Sequence, residues 1–300
     1  MFIVRARHQA TLSILSLLLA HFVFGQASRG PAAQAPLHNS TNGIIVLGGG
    51  YVDHEGIPVL LRRAIGLAGG ARTSLVIIPT ADPRLEPAVR TGSHTLLVDY
   101  ERAAKVRFAT FGVNHVTVLH TRDRAVANSD KFAMRLRIAN CVWIPGGDPE
   151  LLFKVYPNTT VHRELQRILD QGGVIVGDSA GAEIIGQGLL AVHLKNPKEM
   201  PTVEEVGLRL LKNTFVLTHV NRYKAEIVEQ GCDKFVCAHP EMLALLIGEN
   251  TSVMIQHDQV ARLLGSGRTG IADGNNHSSH SPMWLSGSAH YDLRRRILVQ

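Results

Sequence analysis

The stretch GVIVGDSAGA, residues 173–182, carries an apolar run into a G-x-S-x-G turn and out into a helix-forming segment. It reads as a nucleophile elbow centred on Ser179: a strand ends, the chain bends sharply, and the serine hydroxyl is lifted clear of the sheet edge. Gly177 and Gly181 remove the Cβ atoms that would collide in so tight a bend. The first N–H groups of the following helix point at the same spot, which suits a developing oxyanion. A packed glycine turn at a strand end would give the same letters, so the surrounding chain has to decide between the two.

Working outward, β-rich and helix-like runs alternate. Strands are expected over 44–47, 74–79, 115–119, 142–145 and 174–176. Helices are expected over 58–68, 96–111, from a Ser129 cap to about 140, and over 161–171, where Gly172 and Gly173 stop the last one. Near-continuous apolar strands separated by helices predict an α/β fold: a three-layer α/β/α sandwich with a mostly parallel sheet. After Gly188 the pattern changes to short strands over 215–218, 243–247, 252–255, 260–264 and 283–285, with turn residues between them. There is no internal repeat and no linker, so 43–300 reads as one domain.

The chain has 300 residues, enough for such a domain with a sizeable core. Its first residues read differently. Arg5 and Arg7 precede an apolar run over about 12–24, and Gly25-Gln26-Ala27 offers a small-x-small cleavage site. Residues 1–27 are therefore expected to be a secretory signal peptide, with an uncleaved anchor as the alternative, and 28–42 a disordered leader. This predicts a secreted protein, extracellular or periplasmic, with no stable membrane association after cleavage. The net charge is +6, or +4 once Arg5 and Arg7 are removed. The cations are scattered and not interleaved with aromatics, which argues against a nucleic-acid partner. Arg294-Arg295-Arg296 reads as a solvated end.

Of the three cysteines, Cys232 and Cys237 could close a small loop in a polar, Gly-containing stretch, and Cys141 opens a buried strand. Asn39, Asn158, Asn250 and Asn276 begin N-x-[ST] sequons. No cofactor is called for. Gly48-Gly49-Gly50 lacks the Lys and Ser/Thr of a P-loop and is no G-x-G-x-x-G, and there is no zinc-like Cys/His set. His277 and His280 lie in a polar loop that supplies no further metal ligands.

In open parallel sheets, ligands bind beyond the carboxyl ends of the strands. Gly48–Gly50, Gly146-Gly147-Asp148, Ser179, His219 and Glu249 each follow an expected strand directly and can gather at one edge. A serine needs a base in hydrogen-bond reach, and the base needs an orienting group. His219 is the preferred base over His193, His239 and His257, because it ends a strand in the same half of the sheet. Glu249 is the preferred orienting acid over Glu183, Glu199, Glu204 and Glu205. The oxyanion hole would use the Ala180 N–H and one from Gly147 or Asp148.

These residues resemble a known family. Ile144-Pro-Gly-Gly-Asp148 with Leu151-Leu152, Gly177-Asp-Ser-Ala-Gly-Ala182, His219 and Ile247-Gly-Glu-Asn-Thr251 are similar, in collinear order, to the cyanophycinase and dipeptidase E family of serine peptidases. Leu47-Gly-Gly-Gly50, Ile77-Ile-Pro-Thr-Ala81 and the closing Leu285-Ser-Gly-Ser and Tyr291-Asp-Leu-Arg294 extend the likeness over about 43–296. The resemblance implies a class I glutamine amidotransferase-like, flavodoxin-like sandwich, and cleavage beside aspartyl residues, including the β-linked Asp–Arg units of cyanophycin. It places Ser179 as nucleophile, His219 as catalytic histidine and Glu249 as the acid, with a peptide or isopeptide as the partner and a homodimer left open. Asp148, Pro149, Asn221 and Arg222 are the expected substrate-binding residues, and this chain departs from the family at substrate-reading positions. Pro149 stands where Gln is usual after Gly-Gly-Asp148, Leu217-Thr218 where Asp-Gln precedes the histidine, and Asn221, Arg222 and Lys224 where regularly spaced arginines follow it. Two other classes share the elbow: an α/β-hydrolase-type esterase, whose order is Ser, acid, His, and a non-catalytic binding protein of the same fold.

Overall fold

Ile44–Gly48 (β1) and Val174–Asp178 (β5) are buried at every position, so each needs cover on both faces. Both lie inside a sheet. The computed structural model describes residues 42–50, 56–85, 95–191, 202–265, 267–275, 282–285 and 289–299. The further strands are β2 Ser74–Ile77, β3 His115–Val118, β4 Cys141–Ile144, β6 Gly188–Ala191, β7 Thr202–Val206, β8 Thr214–Leu217, β9 Leu243–Ile247, β10 Thr251–Gln256, β11 Gln259–Gly265, β12 Thr269–Asp273, β13 Met283–Trp284, β14 His290–Asp292 and β15 Ile297–Val299. The longer helices are α1 Gly56–Leu67, α2 Thr95–Ala109, α3 Pro149–Val155, α4 Thr160–Asp170 and α6 Ala225–Ala238, and a single turn, α5 Ala180–Glu183, follows the elbow.

A nine-stranded sheet runs in the order β15-β14-β11-β10-β1-β5-β4-β2-β3. From β1 through β5, β4 and β2 to β3 every pairing is parallel, and β10, β11, β14 and β15 extend it by antiparallel pairings. The period of two in strand side chains sorts the core. Ile44, Val46, Ile77 and Val176 share one face with Leu60, Ala64 and Phe108 of α1 and α2. Ile45, Leu47, Val76 and Ile175 share the other with α3 and α4. Helix α4 buries Val161, Leu165, Ile168 and Leu169, a stripe at helical spacing, and Thr159 caps it by accepting from the His162 N–H at 3.4 Å. Burying each such aliphatic side chain is worth about 1.5–3 kcal/mol. The expected α/β layering with a mostly parallel sheet core is therefore present.

The later strands differ from the expectation of one sheet. β13, β12, β9 and β8 form a separate four-stranded sheet in that order, with β8 and β9 parallel. Leu243, Leu245 and Ile247 pack into the core shared with the nine-stranded sheet, while Ala244 and Leu246 pack on α6 through Val228, Cys232 and Phe235. Local apolar runs announce strands but do not say which sheet they join. The expected loop around Cys232 and Cys237 is instead helix α6, on which a spacing of five residues turns the two thiols well apart. Both are free, Cys232 buried and Cys237 exposed. Cys141 is free and buried, and burial pushes its thiol up to about 12. Ser129 caps as expected, accepting from the Phe132 N–H at 3.3 Å, but its helix is one turn followed by a 3-10 segment.

Arg296 is not solvated: its guanidinium donates to Asp273 Oδ1 at 3.0 Å and to the carbonyls of Pro240 and Glu241 at 2.6 and 2.5 Å. Among the described residues no helix is long and apolar enough to cross a membrane. The signal peptide, the leader up to residue 41, Asn39, His193, Glu199, Asn276, His277 and His280 lie outside the described residues.

Candidate active site

At the carboxyl end of β5 the chain turns through Ser179 at φ 54° and ψ −122°. That region is costly for a residue with a Cβ, about 1–3 kcal/mol, and is expected of a nucleophile elbow. Close packing makes room for it only because its neighbours are glycines. A Cβ on Gly177 would overlap the Gly181 carbonyl oxygen, and one on Gly181 would overlap that of Ile144. A Cβ on Gly146 would sit 2.7 Å from Ser179 Cβ and 3.3 Å from its Oγ.

His219 leaves β8 in the left-handed region, φ 58° and ψ 25°, and brings its ring over the elbow. Ser179 Oγ lies 2.7 Å from His219 Nε2, and His219 Nδ1 lies 3.2 Å from Glu249 Oε1. A carboxylate accepts only, so Nδ1 donates to Glu249, and in the neutral ring Nε2 then offers its lone pair to the serine proton. Glu249 follows β9 and is buried to 7% exposure. Its Oε1 also meets Arg222 Nε, and its backbone N–H donates to Asn221 Oδ1 at 2.5 Å. Burial first, and the Arg222 guanidinium second, hold the His219 imidazole below its usual range, against the opposing pull of Glu249. The ring is therefore kept in the neutral form that a general base needs.

Two of the expected oxyanion donors are placed to serve. The Ala180 and Gly147 N–H groups have no hydrogen-bond partner among the described residues. Gly147 holds φ 143°, and a Cβ there would overlap the Ala81 carbonyl. The third, the Asp148 N–H, donates to that carbonyl at 2.8 Å and is not available. Asp148 Oδ1 accepts from the Glu150 N–H at 3.0 Å and so caps α3, with Pro149 in the helix's first turn. The helix after the elbow is one turn long, so the oxyanion site depends on individual N–H groups and not on a long helix dipole.

Asn221 and Arg222, expected to read substrate, both bond Glu249, and the Arg222 side chain keeps 53% exposure. Behind Asn221 a recess of about 150 Å³ is walled by Val220, Tyr223, Val228 and Trp284, with the Arg268 guanidinium 3.6 Å from the indole centroid. Glu183 is turned away from the histidine. It accepts from Thr218 Oγ1 at 2.6 Å and Thr218 N–H at 3.4 Å, and burial raises its pKa. Glu204 and Glu205 fall on β7. His257 sits in the β10–β11 turn, next to Gln256, which pairs with Ile44 at the far end of β1 from the site. His239 ends α6, before the start of β9 and so also away from the site. The order brought together is Ser, His, acid, which is not that of an α/β-hydrolase.

One neighbour of the nucleophile escaped the sequence reading. Asp178 is buried to 8% exposure, and its Oδ1 accepts from the Gly50 N–H at 3.2 Å. Its signal was a charged residue inside a run buried on both faces.

Comparison with known proteins follows the same outline. The profile of peptidase family S51 matches residues 44–263. The cyanophycinase of Trichormus variabilis is 28% identical over 235 residues, covering 77% of this chain and 73% of its own. That of Synechococcus elongatus is 27% identical over 241 residues, covering 79% and 70%. In fold, the chain is similar to a peptidase from an acI-B1 Actinobacterium, with a TM-score of 0.59 at 18% identity over 85% of this chain and 98% of that one.

Proposed function

This chain belongs to peptidase family S51 and is a serine-type peptidase, and we propose that it hydrolyses peptide or isopeptide bonds beside aspartyl residues through an acyl-enzyme on Ser179. The observation that carries the mechanism is the 2.7 Å contact of Ser179 Oγ with His219 Nε2. In the first half-reaction Nε2 takes the Oγ proton as Oγ bonds to the substrate carbonyl carbon. The oxyanion that forms is held by the Gly147 and Ala180 N–H groups, each such donor being worth about 3–4 kcal/mol in the transition state. Glu249 keeps the Nδ1 proton in place and balances the imidazolium. His219 then gives its proton to the leaving amine as the C–N bond breaks. Water repeats the sequence in reverse, attacking the ester with His219 as base and returning the proton to Ser179 Oγ.

The aspartyl preference rests on the family resemblance and on the cyanophycinase relatives. Pro149 and Leu217-Thr218, which replace residues usual in cyanophycinases, favour short aspartyl peptides over the polymer itself. Export rests on the charged, apolar and small-residue sequence of 1–27; N-terminal sequencing of protein recovered outside the cell is expected to begin near residue 28.

The decisive experiment compares purified protein with Ser179→Ala against α-aspartyl dipeptides, β-aspartyl dipeptides and cyanophycin. Hydrolysis of aspartyl dipeptides by the wild type alone, with fluorophosphonate labelling of Ser179, is expected. Full activity of folded Ser179→Ala would remove the nucleophile. A labelled serine that turns over esters but no aspartyl peptide would replace the substrate assignment with an esterase.

A further inference from the structure

The Gly48–Gly50 run is bonded to the nucleophile, to the base and to the segment that follows the acid. The Gly48 carbonyl accepts from the Ser179 N–H at 3.0 Å, and the Gly49 carbonyl from the His219 N–H at 3.3 Å. The Gly49 N–H donates to the Thr251 carbonyl at 3.0 Å, and the Gly50 carbonyl accepts from the N–H of Asn250, the residue after Glu249, at 2.9 Å. Nucleophile, base and acid are thus all tied to one strand end. The last glycine does more than tie. Gly50 holds φ +95° and lies flat against the imidazole: a Cβ there would overlap His219 Cε1 and come within 2.8 Å of Nδ1. The position of Gly50 therefore decides where the ring can stand.

All of these ties are backbone to backbone except one. Asp178 Oδ1 accepts from the Gly50 N–H, and this is the side-chain anchor of the glycine that backs the histidine. We propose that Asp178 is a positioning residue for the Ser179–His219 pair: its carboxylate holds Gly50 against the imidazole and so keeps Nε2 within reach of Ser179 Oγ. This rests on the serine-peptidase reading of the site. It extends that reading to a residue that touches neither substrate nor the reacting atoms.

The surroundings of Asp178 are consistent with an anchoring role. On β1 it is paired with Gly48, where a Cβ would lie 2.5 Å from its Oδ1 and 3.2 Å from Leu60 of α1. Among the described residues no cation faces it. The nearest titratable group along the chain of contacts is His219, beyond Gly50, followed by Glu249 and Arg222. Burial raises its carboxyl to about 6, and the Gly50 N–H opposes that rise.

The test compares Asp178→Asn, which keeps an acceptor oxygen in place, with Asp178→Leu and Asp178→Ala, which remove it. A reacting group misplaced by about 1 Å can cost on the order of a hundredfold in rate. Folded Asp178→Leu or Asp178→Ala is therefore expected to lose about tenfold or more in kcat with KM within about threefold of wild type, and Asp178→Asn to stay within about threefold on both. The His219 ring resonances are expected to move in the Leu and Ala variants and to stay near wild type in the Asn variant. Wild-type kcat in a folded acceptor-less variant, a loss carried by KM, or failure of both acceptor-less variants to fold would each overturn the proposal, the last by making Asp178 a structural residue. Should no peptide be turned over by the wild type, the proposed function fails, and the rate of Ser179 labelling by a fluorophosphonate, which needs the same Ser–His geometry, carries this test unchanged.

Discussion

The base of the site is tuned by two neighbours that pull in opposite directions. Burial and Arg222 lower the His219 pKa from its ordinary 6.5, while Glu249 raises it. Activity needs the neutral ring, so it is present above the pKa and lost as pH falls through it. The acid limb of kcat/KM in the wild type is accordingly expected below about pH 6.5. Arg222→Gln removes a cation that disfavours the imidazolium, so the limb is expected to move to higher pH. Glu249→Gln removes the anion that favours it, so the limb is expected to move lower, with a large fall in kcat as ring orientation is lost. Equal limbs in all three proteins would show that the ring is not the titrating base. At Asp178 the sign is reversed. Its folded pKa lies above the ordinary 3.8, at about 6, so ionising it opposes folding. Asp178→Asn is thus expected to stabilise the protein by up to about 3 kcal/mol near pH 8 and by little near pH 4, as read from denaturant unfolding at the two values. Ser179, His219 and Glu249 could be read from the sequence because each directly follows an apolar run. Asp178 breaks the apolar run, but its role could not be read, because its partner Gly50 lies 128 residues away and local pattern does not encode that pairing.

Two elements carry the catalytic pair, and they belong to different sheets: β5 delivers Ser179 and β8 delivers His219. Thr218, the residue before His219, donates from Oγ1 to the buried Glu183 one turn after Ser179. That contact bolts the elbow turn to β8. It also gives a local reason for Thr218, which stands where the family's usual residue differs. Thr218→Val keeps the shape but leaves a buried carboxyl without its hydroxyl partner, and a loss of about 1–3 kcal/mol is expected. Denaturant unfolding measures it, and Thr218→Ser, which keeps the hydroxyl donor to Glu183, is expected to lose much less. If Thr218→Val is as stable as wild type, the bolt carries no weight. At this scale the sequence revealed the strands well and the helices unevenly. Helix α6 was missed because Gly231 and several charged residues interrupt its buried stripe of Val228, Cys232 and Phe235, and the two cysteines suggested a loop.

In the whole molecule, the two sheets have to be held at a fixed distance, because the gap between them is the gap between serine and histidine. At the site end the Gly48–Gly50 run spans it. The other end is closed by the last residues of the chain. Tyr291 of β14 donates from its hydroxyl to Asp273 Oδ2 at 2.6 Å, and Arg296, in the turn before β15, meets Asp273 Oδ1 at 3.0 Å. Asp273 pairs with Leu243 at the start of β9, so this clamp lies at the opposite end of the second sheet from Glu249. Nothing in the pattern of the sequence told the clamp from a solvated basic tail; only the pairing of distant strands does, and local periodicity does not encode that pairing. Arg296 and Asp273 are 7% and 8% exposed, so removing one partner leaves the other charge buried. Breaking such a pair typically costs about 3–5 kcal/mol. Because Tyr291 still serves Asp273, Arg296→Ala is expected toward the lower end, about 3 kcal/mol, in denaturant unfolding. Far from the reacting atoms, the same variant is expected to keep kcat/KM within about threefold while folded. A matching loss of kcat without loss of stability would mean that the clamp sets the serine–histidine distance directly, instead of holding the two sheets together as one folded unit.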